Sequence, residues 1–195
     1  MSEPLRVSVV SLGRIGSSED LLSYRNDGNS DLTLIDCEGY DTAALQRIVS
    51  DAGSRVSGAD KNCLGLKVGV GDLERLDDGL IGGLGYIFVA DLVLSVEMLS
   101  MIARFKLSRA VEYDVALVGM LERFDSLGGL TVLSESCLFD GFVVGFYDLC
   151  RDFGLAYPND WPVVDSILRS KLRCVGSSRL RIGVTGPNLD ARLYE

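Results

Sequence analysis

Short apolar runs alternate with stretches of helical spacing along most of this chain, and that alternation limits its fold more than any other feature. Leu5–Leu12 is rich in β-branched residues and stops at Gly13; Leu32–Asp36, Leu64–Val70 and Tyr86–Ala90 repeat the pattern. Each reads as a buried strand, because branched and aromatic side chains suit a pleated surface and the runs are short. Between them, Ser17-Ser18-Glu19-Asp20 has the hydroxyl caps and first-turn acids of a helix start, closed by the turn Asn26-Asp27-Gly28. Asp41 heads a helix whose Ala44, Leu45, Ile48, Val49 and Ala52 share one face before Gly53.

Further along, Gly79–Gly85 reads as a loop, and Leu92–Phe105, Val111–Phe124 and Cys137–Phe153 read as helices. Gly128-Gly129 turns into LTVLS, Leu130–Ser134, as a fifth strand, and Pro162 opens a last helix through Arg169. The segment Leu172–Val184 reads as a hairpin around Gly176-Ser177-Ser178. Parallel neighbours need crossover helices, so this order predicts an α/β fold with a mostly parallel sheet. Helices would flank both faces and an antiparallel hairpin would close the chain.

Composition narrows the function. A chain of 195 residues is most simply one domain with a sizeable core. Its net charge of −9 argues against nucleic-acid binding without a partner, since phosphate attraction needs a basic surface. The one dense basic cluster, Arg169, Lys171, Arg173, Arg179 and Arg181, reads as a solvated face. The longest apolar stretch, Leu80–Ala103, carries Asp91 and Glu97 in its middle and reads as core rather than membrane span. The start MSEPLRV lacks a signal-peptide pattern. Five cysteines without metal-like spacing read as thiols of a reducing, cytoplasmic compartment. Histidine is absent altogether, which removes Ser-His-Asp and Cys-His catalysis, histidine metal sites and the usual general base.

The order of elements and several motifs resemble class I S-adenosylmethionine-dependent methyltransferases, over roughly Arg6 to Val184. SLGRIGS matches the glycine-rich loop after the first strand, with Gly13 and Gly16. Asp36 in TLIDCE is similar to the acid that holds the ribose hydroxyls. Asp72, followed by Leu73, is similar to the acid that contacts the adenine amine, and Asp91 to the residue at the tip of strand four, near the methyl group. LERFDSLGGLTVLSES resembles the helix, Gly-Gly turn and fifth strand. The resemblance implies a Rossmann-like sheet whose ligand lies where strand order reverses. It also implies S-adenosylmethionine as cofactor and methyl transfer, which needs alignment more than a strong base.

Ser11, Ile15 and Ser17 replace the family's acid and its second and third glycines, so a catalytically silent scaffold is the alternative. Such a copy of the fold would act through a protein partner or as a homo-oligomer. Locally, Asp36 also suits a strand-end turn, while Asp72 and Asp91 suit helix caps. Asp36-Cys37-Glu38 has the Asp-x-Glu form of two-metal exonucleases, but the helical reading of Asp41–Ala52 disfavours it, and no metal site is expected.

Overall fold

The computed structural model describes residues 7–11, 32–37, 43, 47, 64–156, 159–174 and 182–185. Among these, seven strands form one sheet: β1 (Val7–Ser11), β2 (Leu32–Asp36), β3 (Leu64–Gly69), β4 (Tyr86–Ala90), β5 (Ala116–Leu121), β6 (Gly141–Gly145) and β7 (Ile182–Thr185). Each strand pairs in parallel with the next, so sequence order and spatial order coincide. Crossovers between parallel strands are right-handed almost without exception. When every crossover also steps in the same direction, all of them fall on one side of the sheet. The opposite, inner side is left to the strands' own side chains.

The described helices are α1 (Asp78–Gly82), α2 (Val96–Phe105), α3 (Val111–Tyr113), α4 (Phe124–Gly128), α5 (Leu130–Glu135), α6 (Phe146–Asp152) and α7 (Trp161–Cys174). A 3-10 turn, Val70–Arg75, follows β3, and a π segment, Lys106–Ala110, joins α2 to α3. Local chemistry sets the boundaries. Asp77 caps α1 by accepting from the Leu80 N–H at 2.7 Å, and Ser95 caps α2 by accepting from Met98 N–H at 3.1 Å. Asp114, in the left-handed conformation at φ 53°, ends α3.

Two apolar clusters follow from the alternation of side chains along each strand. The larger packs Ile35, Leu66, Val68, Ile87, Val89, Leu117, Leu121 and Val144 against the helices. The smaller holds Leu32, Leu34, Phe88, Ala90, Met120 and Val143, all from strands, and lies on the inner side. The strands therefore face apolar surroundings on both sides, as parallel strands usually do.

Several sequence expectations are corrected here. The sheet has no reversal of strand order among the described strands, so it is not the Rossmann-like sheet, and the helices do not divide between two faces around a switch point. The closing hairpin is absent: residues 172–174 end α7, and Ile182–Thr185 runs parallel to β6. LTVLS is α5 rather than a strand. The helix expected over Val111–Phe124 stops at Tyr113 and gives way to β5. The one expected over Cys137–Phe153 splits into β6 and α6. The Gly79–Gly85 loop contains most of α1, and α2 starts at Val96 rather than Leu92. Within Asp41–Ala52, Ala43 and Arg47 are helical, and the rest lies outside the described residues, as do the helix start at Ser17–Asp20 and the turn at 26–28.

Candidate functional site

In β3, LGLKVG, Leu66 and Val68 point to the helices, so alternation sends Gly65, Lys67 and Gly69 inward. Lys67 is only 9% exposed, and it is the one charged residue in the buried set among the described residues. A buried ammonium loses its hydration and must find anionic partners. It has them on the neighbouring strands. Asp36, the last residue of β2, stands beside Lys67 in register, with its Oδ2 4.0 Å from Nζ. Glu122 follows β5 directly and brings its Oε1 to 3.2 Å from Nζ. Lys67 and Glu122 are equally sheltered, each side chain 11% exposed, while Asp36 is more open.

Small residues surround this trio. β3 ends on Gly69, β4 on Ala90 and β6 on Gly145, so no side chain longer than a methyl projects from those three positions. At Gly145 the absence of a side chain is required: a Cβ there would lie 2.7 Å from the Glu122 Cγ. Around Gly69 two further carboxylates converge, since a Cβ there would be 3.6 Å from Asp72 Oδ2 and 3.9 Å from Asp91 Oδ2. Asp91 is exposed and left-handed at φ 55°, and Asp72 pairs with Arg75 at 2.9 Å. Cys37, next to Asp36, donates its backbone N–H to the Lys67 carbonyl at 3.2 Å. Burial first, and then the Asp36 charge, push its thiol up to about 12, so it is no thiolate nucleophile near neutral pH.

The opposite end of the sheet has a different character. A hollow of about 410 Å³ opens there beside Tyr86, Lys106, Asp114, Ala116 and Asp140. Its charged groups hold the structure together: Lys106 Nζ meets Asp140 Oδ1 at 3.0 Å, and Asp140 Oδ2 accepts from the Leu117 N–H at 2.8 Å. In parallel α/β folds the chemistry gathers where strands end, not where they begin. The trio at the ends of β2, β3 and β5 is therefore the candidate site.

Of the residues singled out from sequence, Asp36 belongs to this trio, and Asp72 and Asp91 stand on the same rim at the ends of β3 and β4. Neither of the latter caps a helix: the cap of α2 is Ser95, and no side chain caps the 3-10 turn. Leu73 is fully buried in the helix-side core. Gly13, Gly16 and Glu38 lie outside the described residues. Sequence reading missed Lys67 and Glu122. A lone charge inside the strand LGLKVG was the available signal for the first. The second sits just past ALVGML, inside the segment Val111–Phe124 whose spacing predicts a helix.

No family model matches the chain, and no curated protein matches it. Solved structures do. The citrate synthase SbnG superposes with a TM-score of 0.69 at 14% identity, covering 95% of this chain and 79% of that one. An HpcH/HpaI aldolase/citrate lyase family protein from Burkholderia cenocepacia gives 0.67 at 14%, covering 93% and 79%. The citrate lyase beta subunit of M. tuberculosis, complexed with oxaloacetate and magnesium, gives 0.57 at 12%, covering 93% and 78%.

At such identities the likeness is one of fold. Together with the strand order, it overturns the methyltransferase resemblance, and with it methyl transfer, S-adenosylmethionine as cofactor and the silent methyltransferase-like scaffold. Among the described residues no group of three or more acids, cysteines or histidines comes together, and Lys67 engages Glu122. No described helix is long and apolar enough to cross a membrane.

Proposed function

We propose that this chain is a single-domain lyase of the aldolase kind, making or breaking a carbon–carbon bond in a small oxo acid at the C-terminal rim of the sheet. The observation that carries the reading is the Lys67–Glu122 pair, buried on the inner side with Asp36 beside it. The fold shared with aldolases and with citrate synthase and lyase structures supports the same class of chemistry.

Cleavage of an aldol needs a base for the hydroxyl proton and a positive group for the enolate oxygen. Asp36, the more open carboxylate, takes the proton; the O–H electron pair becomes the new carbonyl bond. The carbon–carbon pair passes into the enolate, whose oxygen faces the Lys67 ammonium. Asp36 then returns the proton to the enolate carbon. Glu122 holds Lys67 in position throughout.

The test is turnover of citrate and of aldol adducts of pyruvate and oxaloacetate, followed by release of the oxo acid. Activity is expected with at least one, falling by about 10²–10³ in Lys67→Met, the loss typical of a group that stabilises a developing oxyanion. Turnover that is unchanged in both Lys67→Met and Asp36→Asn overturns the reading.

A further inference from the structure

We propose that the hollow where β4, β5 and β6 begin is a second ligand site, which takes a small organic ammonium: one positive amine on an apolar body. The inference goes beyond the lyase reading and does not depend on it. At about 410 Å³ the hollow has the size of a small-molecule pocket, and such pockets set a few placed charges in an apolar wall. Val111 and Ala116 supply aliphatic wall, and Tyr86 adds an aromatic ring, a favourable neighbour for a cation. The charged groups around the space are Lys106, Asp114 and Asp140.

Two of these three charges are already engaged. Lys106 Nζ donates to Asp140 Oδ1 at 3.0 Å and to the Cys137 carbonyl at 3.3 Å, and Asp140 Oδ2 accepts from the Leu117 N–H at 2.8 Å. Asp114 differs: among the described residues its carboxylate has no hydrogen bond or ion pair. The cation before it in sequence, Arg109, is taken by Asp78 at 2.6 Å. One lysine against two aspartates leaves the hollow one negative charge in excess, on an acceptor that asks for a donor. A monocation meets both needs, whereas an anion would first have to part Lys106 from Asp140.

The backbone sets this wall in place before any ligand arrives. Lys106 enters the hollow from the π segment Lys106–Ala110, and such segments are rare and gather at functional sites. Asp114 sits at φ 53°, in the left-handed region that few residues other than glycine adopt. Both arms of the turn that follows are tied down. The Val115 N–H donates to the Ala110 carbonyl at 2.9 Å, and the Ala116 N–H to the Gly85 carbonyl at 3.0 Å.

Phenethylamine serves as the probe, with 2-phenylethanol and 3-phenylpropanoate as its neutral and anionic analogues, each titrated by calorimetry. Phenethylamine is expected to bind at about 1 mM or tighter, and both analogues at least about tenfold more weakly. Asp114→Asn removes the charge but keeps a residue that tolerates the left-handed conformation, and should weaken phenethylamine at least about tenfold. Lys106→Ala removes a competing cation and should bind it as tightly or more tightly. L-Phenylalanine, which adds a carboxylate, separates the sources. Affinity equal to that of phenethylamine and lost in Asp114→Asn supports the site with amino acids as its ligands; affinity at least about tenfold weaker supports it with simple amines. No binding of phenethylamine up to about 10 mM, or equal binding of 2-phenylethanol, overturns the inference. That comparison needs only the wild-type chain, so it decides the matter whether or not the variants fold. Phenethylamine affinity unchanged in Asp114→Asn, or lost in Lys106→Ala alone, overturns it as well.

Discussion

Each end of the sheet carries a lysine paired with a carboxylate, at nearly the same distance. Lys106 meets Asp140 at 3.0 Å where β5 and β6 begin, and Lys67 meets Glu122 at 3.2 Å where β3 and β5 end. Water separates the two cases. The side chains of the first pair are 19% and 47% exposed, those of the second 11% each. A solvated pair gains little by meeting and loses little by parting, whereas a sheltered pair that loses one member strands the other. Contact distance alone therefore says nothing about which pair matters, and the two ends should respond very differently to the same kind of substitution.

The largest difference is expected at Glu122. Glu122→Ala leaves Lys67 buried with Asp36 4.0 Å away, and should cost on the order of 3 kcal/mol in urea unfolding. Replacing both members, Lys67→Met with Glu122→Leu, should recover much of that loss, because an apolar pair carries no stranded charge. If the single substitution costs no more than one at the other end, the contrast between the two ends is wrong.

How much of this was open to reading along the sequence differs by element. β2 and β4 were legible because LTLID and YIFVA are short, branched or aromatic, and bounded by turn residues. β5 and β6 were not. ALVGML and GFVVG face apolar neighbours on both sides, so their runs match a helical period as well as a strand's, and only their partners in the sheet decide. Strand order was equally hidden. Alternating strands and helices serve a sheet that reverses direction and one that does not, and the choice rests on contacts far apart in sequence. The site shared this fate. Asp36 was found by its place at a strand end, but Lys67 has meaning only through Glu122, and Glu122 only once β5 is a strand.

Two thiols sharpen the same comparison. Cys37 sits at the rim beside Asp36, while Cys137 is exposed at the other end, where its carbonyl accepts from Lys106 Nζ at 3.3 Å. Burial and the Asp36 charge both disfavour the thiolate of Cys37, so it stays protonated until the pH nears about 12. Against a free thiol that removes about three decades of thiolate at pH 8, partly offset by the greater nucleophilicity of a more basic sulfur. Labelling with iodoacetamide, read by site-resolved mass spectrometry, should be about a hundredfold slower at Cys37 than at a free thiol, with Cys137 as the exposed internal comparison. Comparable rates at the two sites would mean that the rim is wetter than the geometry of Lys67 and Glu122 implies.

The smallest effect belongs to the open pair. Lys106→Ala removes the bond to Asp140 and the one to the Cys137 carbonyl, but strands nothing. Asp140 is half exposed and still accepts from the Leu117 N–H through its other oxygen, so it stays solvated and in use. The cost should be about 0.5–1 kcal/mol at low salt. In 1 M NaCl, where screening acts within about 3 Å, most of that should vanish, while the Glu122→Ala deficit, sheltered from ions, should persist. Urea unfolding of both variants at the two salt concentrations measures this directly, and a salt response that is equal at both ends would remove burial as the cause of the difference.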